Sequence, residues 1–523
     1  MLRIENKQLS FGSIAYQKIP EDHILKRINK AVDFSFINDL LADSYCLDNG
    51  RPAKEPALMA KLLFLQYLYN LSDVKVIEIA TFNLAWLWFL GLNPEDELPD
   101  PSLLAKFRTQ RLKEYSLDDI ITEIMRQCVE KGLIKGEGIS IDATHIKANT
   151  GKLLPERIMK RLAKRILKAL EKELGKVPPE VDTNIPDWTK IKDHKEAKQV
   201  MKDYLEKIIK QTEPLAGDET RKAIKETKDI LSDERFILQK GIRSLVDKDA
   251  RVGRKSKKES FYGYKAEFTM LAEERLITAV SVQSGEKMDG NDFSRLLDRT
   301  VTTGIKPQAI YADKAYFRPE ILNKTEEINA VPIIPVSESA YRIKEDLFSY
   351  NKDSDEWFCC FGNRTIKRRR FTRNRNGKEY QYYEFTFDKE LCISCPYRAK
   401  CMGKSKKQAR KLRVGINAHK LWEFSQAQKT PQFKKAYKKR ASIEWKNAEI
   451  KRFHGLARAK GYGLKSVSIQ AKLTAIAVNL KRIAALVAEK AAILFSFRSQ
   501  SGYFMHLRPY FFLRTNKVRY LPG

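Results

Sequence analysis

Residues 138–148 read GISIDATHIKA. Ile139, Ile141 and Ala143 alternate with Ser140, Asp142 and Thr144, and a period of two is that of a half-buried β-strand. An aspartate inside a strand is uncommon, because its short carboxylate competes for the backbone. Upstream, residues 1–135 read as helices. The stretch 56–71 is apolar at helical spacing, a second helix opens at Ser72-Asp73 and runs to Gly91, and Asp100-Pro101-Ser102 opens a third, basic one. Short helices joined by tight turns suit a DNA-binding domain or a packing and dimerisation module equally well.

Downstream, residues 152–250 return to helix with Lys and Glu interspersed. Pro178-Pro179 and the stretch 184–188 interrupt it, which predicts an inserted helical hairpin or coiled-coil arm. Strand signals resume at 261–271 and 276–284, flanking an AEER turn. A helix over 291–302, a strand over 308–313, a short helix over 318–324 and a strand over 330–336 follow. Residues 337–430 lean to β-structure, are basic and carry cysteines, and 433–456 and 468–490 read as helix. With the insertions set aside, three strands of antiparallel start are followed by alternating units. That order predicts an α/β fold with a mixed sheet.

The chain has 523 residues and a net charge of +32, from 98 Lys and Arg against 66 Asp and Glu. Its 43% hydrophobic content is enough for a packed core and excludes a disordered or collagen-like chain. No apolar run reaches the roughly 20 residues of a membrane span, and the first residues show no secretory signal. No phosphate-cradling glycine loop is present, so no nucleotide cofactor is expected. The excess charge lies in runs at 251–258, 364–375, 404–413 and 434–440. One such run is ordinarily a solvated face; four of them point to a polyanion, with DNA or RNA first.

Two further acids frame the chemistry. Asp313 ends the strand 308–313, where open α/β sheets gather ligands. Tyr437, Arg440, Glu444 and Lys451 lie at offsets 0, 3, 7 and 14 and share one stripe of a helix. Each acid alone fits a turn, a cap or a solvated ion pair. Together, two aspartates on adjacent strands and a glutamate on a covering helix suit two-metal phosphodiester cleavage, with Mg²⁺ or Mn²⁺ taking carboxylates, water and phosphate. Arg440 and Lys451 beside them suit the scissile backbone.

These stretches resemble bacterial insertion-sequence transposases of the DDE class, most closely the group conventionally numbered eleven eighty-two. The likeness rests on ISIDATHIKAN around Asp142, FYGYKAEF at 261–268, YADKAYF around Asp313 and YKKRASIEWKNAEIKRFHGLARAKGYG at 437–463. It covers most of residues 40–490. The resemblance implies an RNase H-like core over 136–336 and 431–490, with a helical insertion at 152–258 and a β-rich insertion at 337–430. A helical N-terminal domain, 1–135, and a basic aromatic tail, 491–523, flank it. It implies Asp142, Asp313 and Glu444 as the metal-binding triad, and Tyr437, Arg440, Lys451, His454 and Arg458 as DNA contacts. It further implies cleavage at terminal inverted repeats, joining of the freed 3′-OH to target DNA, a homodimer on paired ends, and a cytoplasmic, nucleoid-associated protein. A nuclease without strand transfer and a non-catalytic DNA-binding descendant are the competing readings.

Cys392, Cys395 and Cys401 have the spacing C-x2-C-x5-C, and Cys359-Cys360 lies upstream. Four thiolates in this pattern suit a structural Zn²⁺, and buried unliganded cysteines are the alternative. Either Cys359 or Cys360 fits as fourth ligand; the resemblance favours Cys359, with Gly362 after it. Cys46 and Cys128 read as core residues. His145, three positions past Asp142, is expected on the opposite face, as a structural or DNA-facing group.

Overall fold

The computed structural model describes residues 10–46, 52–112, 114–256, 258–338, 340–341, 343–375, 377–403 and 408–500. The tail beyond 500, residue 257 of the run 251–258 and residues 404–407 of the run 404–413 lie outside them. The architecture is mixed α/β. Its main sheet has six strands: β1 (Gly138–Lys147), β2 (Arg251–Arg254), β3 (Ser260–Leu271), β4 (Ile277–Ser284), β5 (Ala309–Tyr311) and β6 (Val331–Ile333). The order is β2-β3-β1-β5-β6, with β4 also paired to β3. β3 runs antiparallel to β1, β2 and β4, whereas β1, β5 and β6 are parallel. The AEER turn joins β3 to β4 through Arg275 at φ 60°.

β1 departs from the half-buried strand that its alternation predicts. Ile139, Ser140 and Ile141 are all buried. The strand is central in the sheet, between β3 and β5, and polar Ser140 is sealed as tightly as its apolar neighbours.

The insertion after β1 is a bundle of three helices rather than a hairpin or arm: α1 (Pro155–Leu174), α2 (His194–Thr212) and α3 (Asp218–Leu231). α1 packs against both others around a separate core that includes Ile158, Leu162, Ile166, Leu205, Ile208 and Ile224. Interspersed charges hid the third amphipathic face, on which Thr220, Ile224, Thr227 and Ile230 are buried.

The N-terminal helices and the sheet share one continuous core. The helix expected to run from Ser72 to Gly91 is split at Asn83, whose side chain accepts from Trp86 N at 3.1 Å and caps a new helix, Leu84–Leu90. Gly91 ends it at φ 76°, and Asp100 caps the next helix with Pro101 in its first turn.

The β-rich insertion holds β7 (Phe348–Asn351) paired with β8 (Glu356–Cys359). A three-stranded sheet follows, made of β9 (Thr365–Arg375), β10 (Lys378–Phe387) and β11 (Lys411–Gly415). The chain then returns to the core as α4 (Ala441–Phe453) and α5 (Gly463–Gln500). α5 packs on β3 and β4, where Asn479 satisfies both backbone groups of Ile277, at 2.8 and 2.6 Å. Among the described residues no helix is long and apolar enough to cross a membrane.

Candidate active site

The parallel pairing of β1 with β5 sets the two aspartates. Ser140 lies opposite Tyr311, so two residues further along each strand Asp142 and Asp313 are level with one another. Asp313 lies just past the last paired residue and caps a 3-10 turn, Lys314–Tyr316, accepting from Ala315 N at 2.8 Å. The capping role and a place beside Asp142 therefore coexist.

The third acid arrives from the other end of the chain. The stripe predicted on one helix over 433–456 is divided: a helix Pro431–Tyr437 and a 3-10 turn, Lys438–Arg440, precede α4. Backbone angles stay right-handed helical through the junction, so the side chains remain on one side. Arg440 spans two of the acids. Its guanidinium donates to Glu444 Oε1 at 2.6 Å and lies 3.6 Å from Asp142 Oδ1. Asn447, one turn past Glu444, donates to Asp142 Oδ2 at 2.9 Å.

Burial dominates the electrostatics of this corner. Burial pushes the Asp142 carboxyl up to about 6; Arg440 opposes the shift, and the negative charges of Asp313 and Asp289 add to it. Burial also raises the Tyr437 phenol, against the pull of Arg440, and Asp313, Glu444 and Asp142 raise it further. Tyr437 thus feels all three acids of the triad. The ring stacks on Phe433 at 6.1 Å.

Lys451 and His145 meet one turn further along α4, with Nζ 3.5 Å from Nδ1. His145, expected on the face of β1 opposite Asp142 as a structural or DNA-facing group, sits near the end of the strand, where the long lysine reaches it. Burial, with Lys451 and Lys255 close by, pulls the imidazole down to about 4, and burial with Lys255 pulls the Lys451 ammonium down to about 8. Arg458 is exposed and forms a bridge with Lys147, alongside which Ala459 N donates to Lys147 O at 2.8 Å. His454 is not brought to this surface. It is 3% exposed, with Nδ1 3.1 Å from the carbonyl of Tyr67 in the N-terminal helices.

Three groups at the site escaped the sequence reading. Asn447 continues the Glu444 face at i+3, a spacing that would have found it. Glu267 on β3 is fully buried, with one oxygen accepting from Gly290 N at 2.9 Å, and burial pushes it up to about 7 against the hydrogen bond from Tyr316. Tyr316 is buried close by, and its phenol is raised by burial and by Glu267 and Asp142. Only tertiary packing reveals these two.

The donor chemistry, three carboxylates, suits a hard divalent cation, and an ionised Asp142 favours one. Among the described residues, however, no three His, Cys, Asp or Glu close to ligand distance; Arg440 stands between Asp142 and Glu444 instead. The cysteines behave alike. Cys359, Cys392, Cys395 and Cys401 line one cavity of about 270 Å³, and burial with the three neighbouring thiols raises Cys401. Asn363 donates to Cys392 Sγ at 3.3 Å. Cys360 is exposed and does not line the cavity. Cys128 is buried as expected, but Cys46 is exposed: it lies at the end of a short helical segment, outside the core.

Residues 13–110 match the family described as Transposase domain (DUF772), and residues 359–484 match the family described as Transposase DDE domain. The matches support a DDE transposase family for this chain, and the second contains Glu444 and the four cavity cysteines. Asp142 and Asp313 lie outside both. No curated protein matches. One solved structure, titled as a cryo-EM structure of the piggyBac transposase synaptic complex with hairpin DNA, is similar over 91% of this chain and 81% of that one. The identity is 8% and the TM-score 0.28, too low to establish a shared fold.

Proposed function

We propose that this chain is the transposase of a bacterial insertion sequence, of the group numbered eleven eighty-two, and that it cuts DNA at the element's terminal inverted repeats and joins the ends to target DNA. The observation that carries this reading is the placement of Asp142 on β1 and of Asp313 just past the end of the parallel strand β5, with Glu444 tied to Asp142 through Arg440. A sheet in which β1–β4 pair antiparallel and β5 and β6 continue it in parallel, with α4 packed on β1, supports an RNase H-like core over 136–336 and 431–490. The division of the remaining chain, 1–135, 337–430 and 491–523, follows that core.

Asp142, Asp313 and Glu444 would hold Mg²⁺ or Mn²⁺, which when bound lowers the barrier to attack on phosphorus by stabilising charge on attacking and leaving oxygens. The chain's own residues orient the reaction. Arg440, held by two carboxylates, is aimed to pass one fork to a phosphate. Tyr437 and Lys451 flank the path of the strand, Arg458 extends it at the surface, and His454 fixes the end of α4. In the first step water attacks phosphorus and the P–O3′ bond breaks, freeing a 3′-OH. In the second that hydroxyl attacks a target phosphodiester, and the target's own 3′ oxygen leaves. The four cavity cysteines, with Cys359 as the fourth, would hold a structural Zn²⁺. The protein acts as a homodimer on paired ends, in the cytoplasm on the nucleoid.

The test uses purified protein, a plasmid carrying both element ends, and Mg²⁺ or Mn²⁺, with Asp313→Ala beside wild type. End-specific, metal-dependent cuts that vanish in the variant, with joined products, are expected. Cuts without joined products select a nuclease. Specific binding of the ends with no cutting under either metal selects a non-catalytic DNA-binding protein.

A further inference from the structure

The helical insertion has its own core, yet one face of it is built against itself. Arg157, Lys160, Arg161 and Lys164 recur along α1 at three- and four-residue spacing, opposite the buried face of Ile158, Met159, Leu162 and Ile166. Like charges so spaced repel one another on a helix. With Lys152 and Trp188 they line a groove of about 540 Å³ that has no carboxylate in its wall.

Several cations elsewhere in the insertion are matched. Arg165 pairs with Glu226, Lys172 with Glu219, Lys207 with Asp182 and Lys228 with Glu213. None of the five groove cations has a side-chain hydrogen bond or ion pair among the described residues. Nearby acids are engaged or turned inward: Asp187 is bonded to Thr189 and lies 3.6 Å from Lys190, and Glu156 is 1% exposed. The base of the groove is tied within the insertion. It begins five residues past β1, where Leu153 and Arg243 exchange bonds of 2.8 and 2.6 Å. Lys147, Lys255 and Lys451 bear on His145, on the same strand as Asp142.

We propose that this groove is a second seat for the sugar–phosphate backbone of duplex DNA, remote in sequence from the α4 contacts. It deepens the transposase reading and rests on it for the identity of the polyanion. Unpaired cations along one groove match a line of phosphates, and such contacts carry no base information.

The test measures binding of the full chain to random-sequence duplexes by fluorescence anisotropy across a salt series. In the triple variant Arg157→Gln, Arg161→Gln, Lys164→Gln the log–log salt slope is expected to become shallower by about 3, at roughly 0.9 per lost phosphate contact. Affinity near physiological salt should fall at least about tenfold, with the melting temperature unchanged. In wild type, duplex should protect Lys152, Lys160 and Lys164 from acetylation, a readout that needs no variant. Wild-type slope in the triple variant, or equal acetylation with and without duplex, overturns the proposal. RNA duplex displacing DNA more effectively than DNA itself overturns DNA as the occupant. Groove-dependent binding without cutting at element ends overturns the catalytic reading alone, and cutting with groove-independent binding overturns this seat alone.

Discussion

Asp142 carries a conflict between stability and chemistry that can be measured. Its folded carboxyl titrates near 6, above its ordinary value near 4. The folded state therefore holds the proton more tightly than the unfolded chain. The stabilisation is full below about pH 4 and is lost as pH rises through about 6. In the metal-free chain with chelator, unfolding free energy should fall over that window by an amount on the order of 2–3 kcal/mol. Asp142→Asn should remove that slope and raise the melting temperature at pH 7.5 while abolishing end cutting. Mn²⁺ should raise the melting temperature of wild type and leave the variant unmoved. Lys451 sets the opposite limb. With its ammonium pulled down to about 8, it is charged at neutral pH and loses that charge above 8. Binding of element-end DNA should weaken through that pH, and Lys451→Arg should hold affinity flat to about pH 10, since a guanidinium keeps its proton. Asp142 was legible because an acid in a strand violates local preference. Its partner Asn447 could be read only from its i+3 spacing beyond Glu444, and Glu267 only from the packing that buries it.

Elements were legible where local chemistry alone sets them. The Asp100-Pro101 helix start, the Gly91 stop and the β3–β4 hairpin follow from residues within a few positions. The break at Asn83 and the 3-10 turn before α4 were missed, since uninterrupted helical periodicity masks a side-chain cap inside the run. β2 was hidden in the basic stretch 251–258, where charge dominates the reading. β1 shows the same limit from another side: its pairing partners lie over 100 residues downstream, so its burial on both faces is a tertiary fact. The cysteine spacing, by contrast, was local enough to read, and the fold separates Cys359 from Cys360. Full-length protein should carry about one zinc per chain by elemental analysis. Cys392→Ser and Cys359→Ser should lose it, and Cys360→Ser should keep it. Loss of zinc from Cys360→Ser with retention in Cys359→Ser would reverse the assignment.

At the scale of the whole molecule, the sequence suggested helices first and a sheet afterwards, whereas packing joins them. α5 docks on the N-terminal helices as well as on β3 and β4, so residues more than 300 positions apart share one core. The joint is also ionic. Lys472 on α5 donates to Asp118 of the helix Glu114–Glu130 at 2.8 Å, and their side chains are 3% and 7% exposed. Removing one partner of such a buried pair costs about 3–5 kcal/mol, whereas replacing both with apolar groups is near neutral. Asp118→Ala should therefore lower unfolding free energy by that amount, and Asp118→Leu with Lys472→Met should recover most of it. Because the sheet shares the core with these helices, the destabilised transition should expose both together. The three-helix insertion, with its separate core, should keep its own unfolding transition unchanged, which hydrogen exchange resolved by segment can read. Earlier exchange in α1–α3 of the Asp118→Ala chain would show that the insertion is coupled to the main core after all.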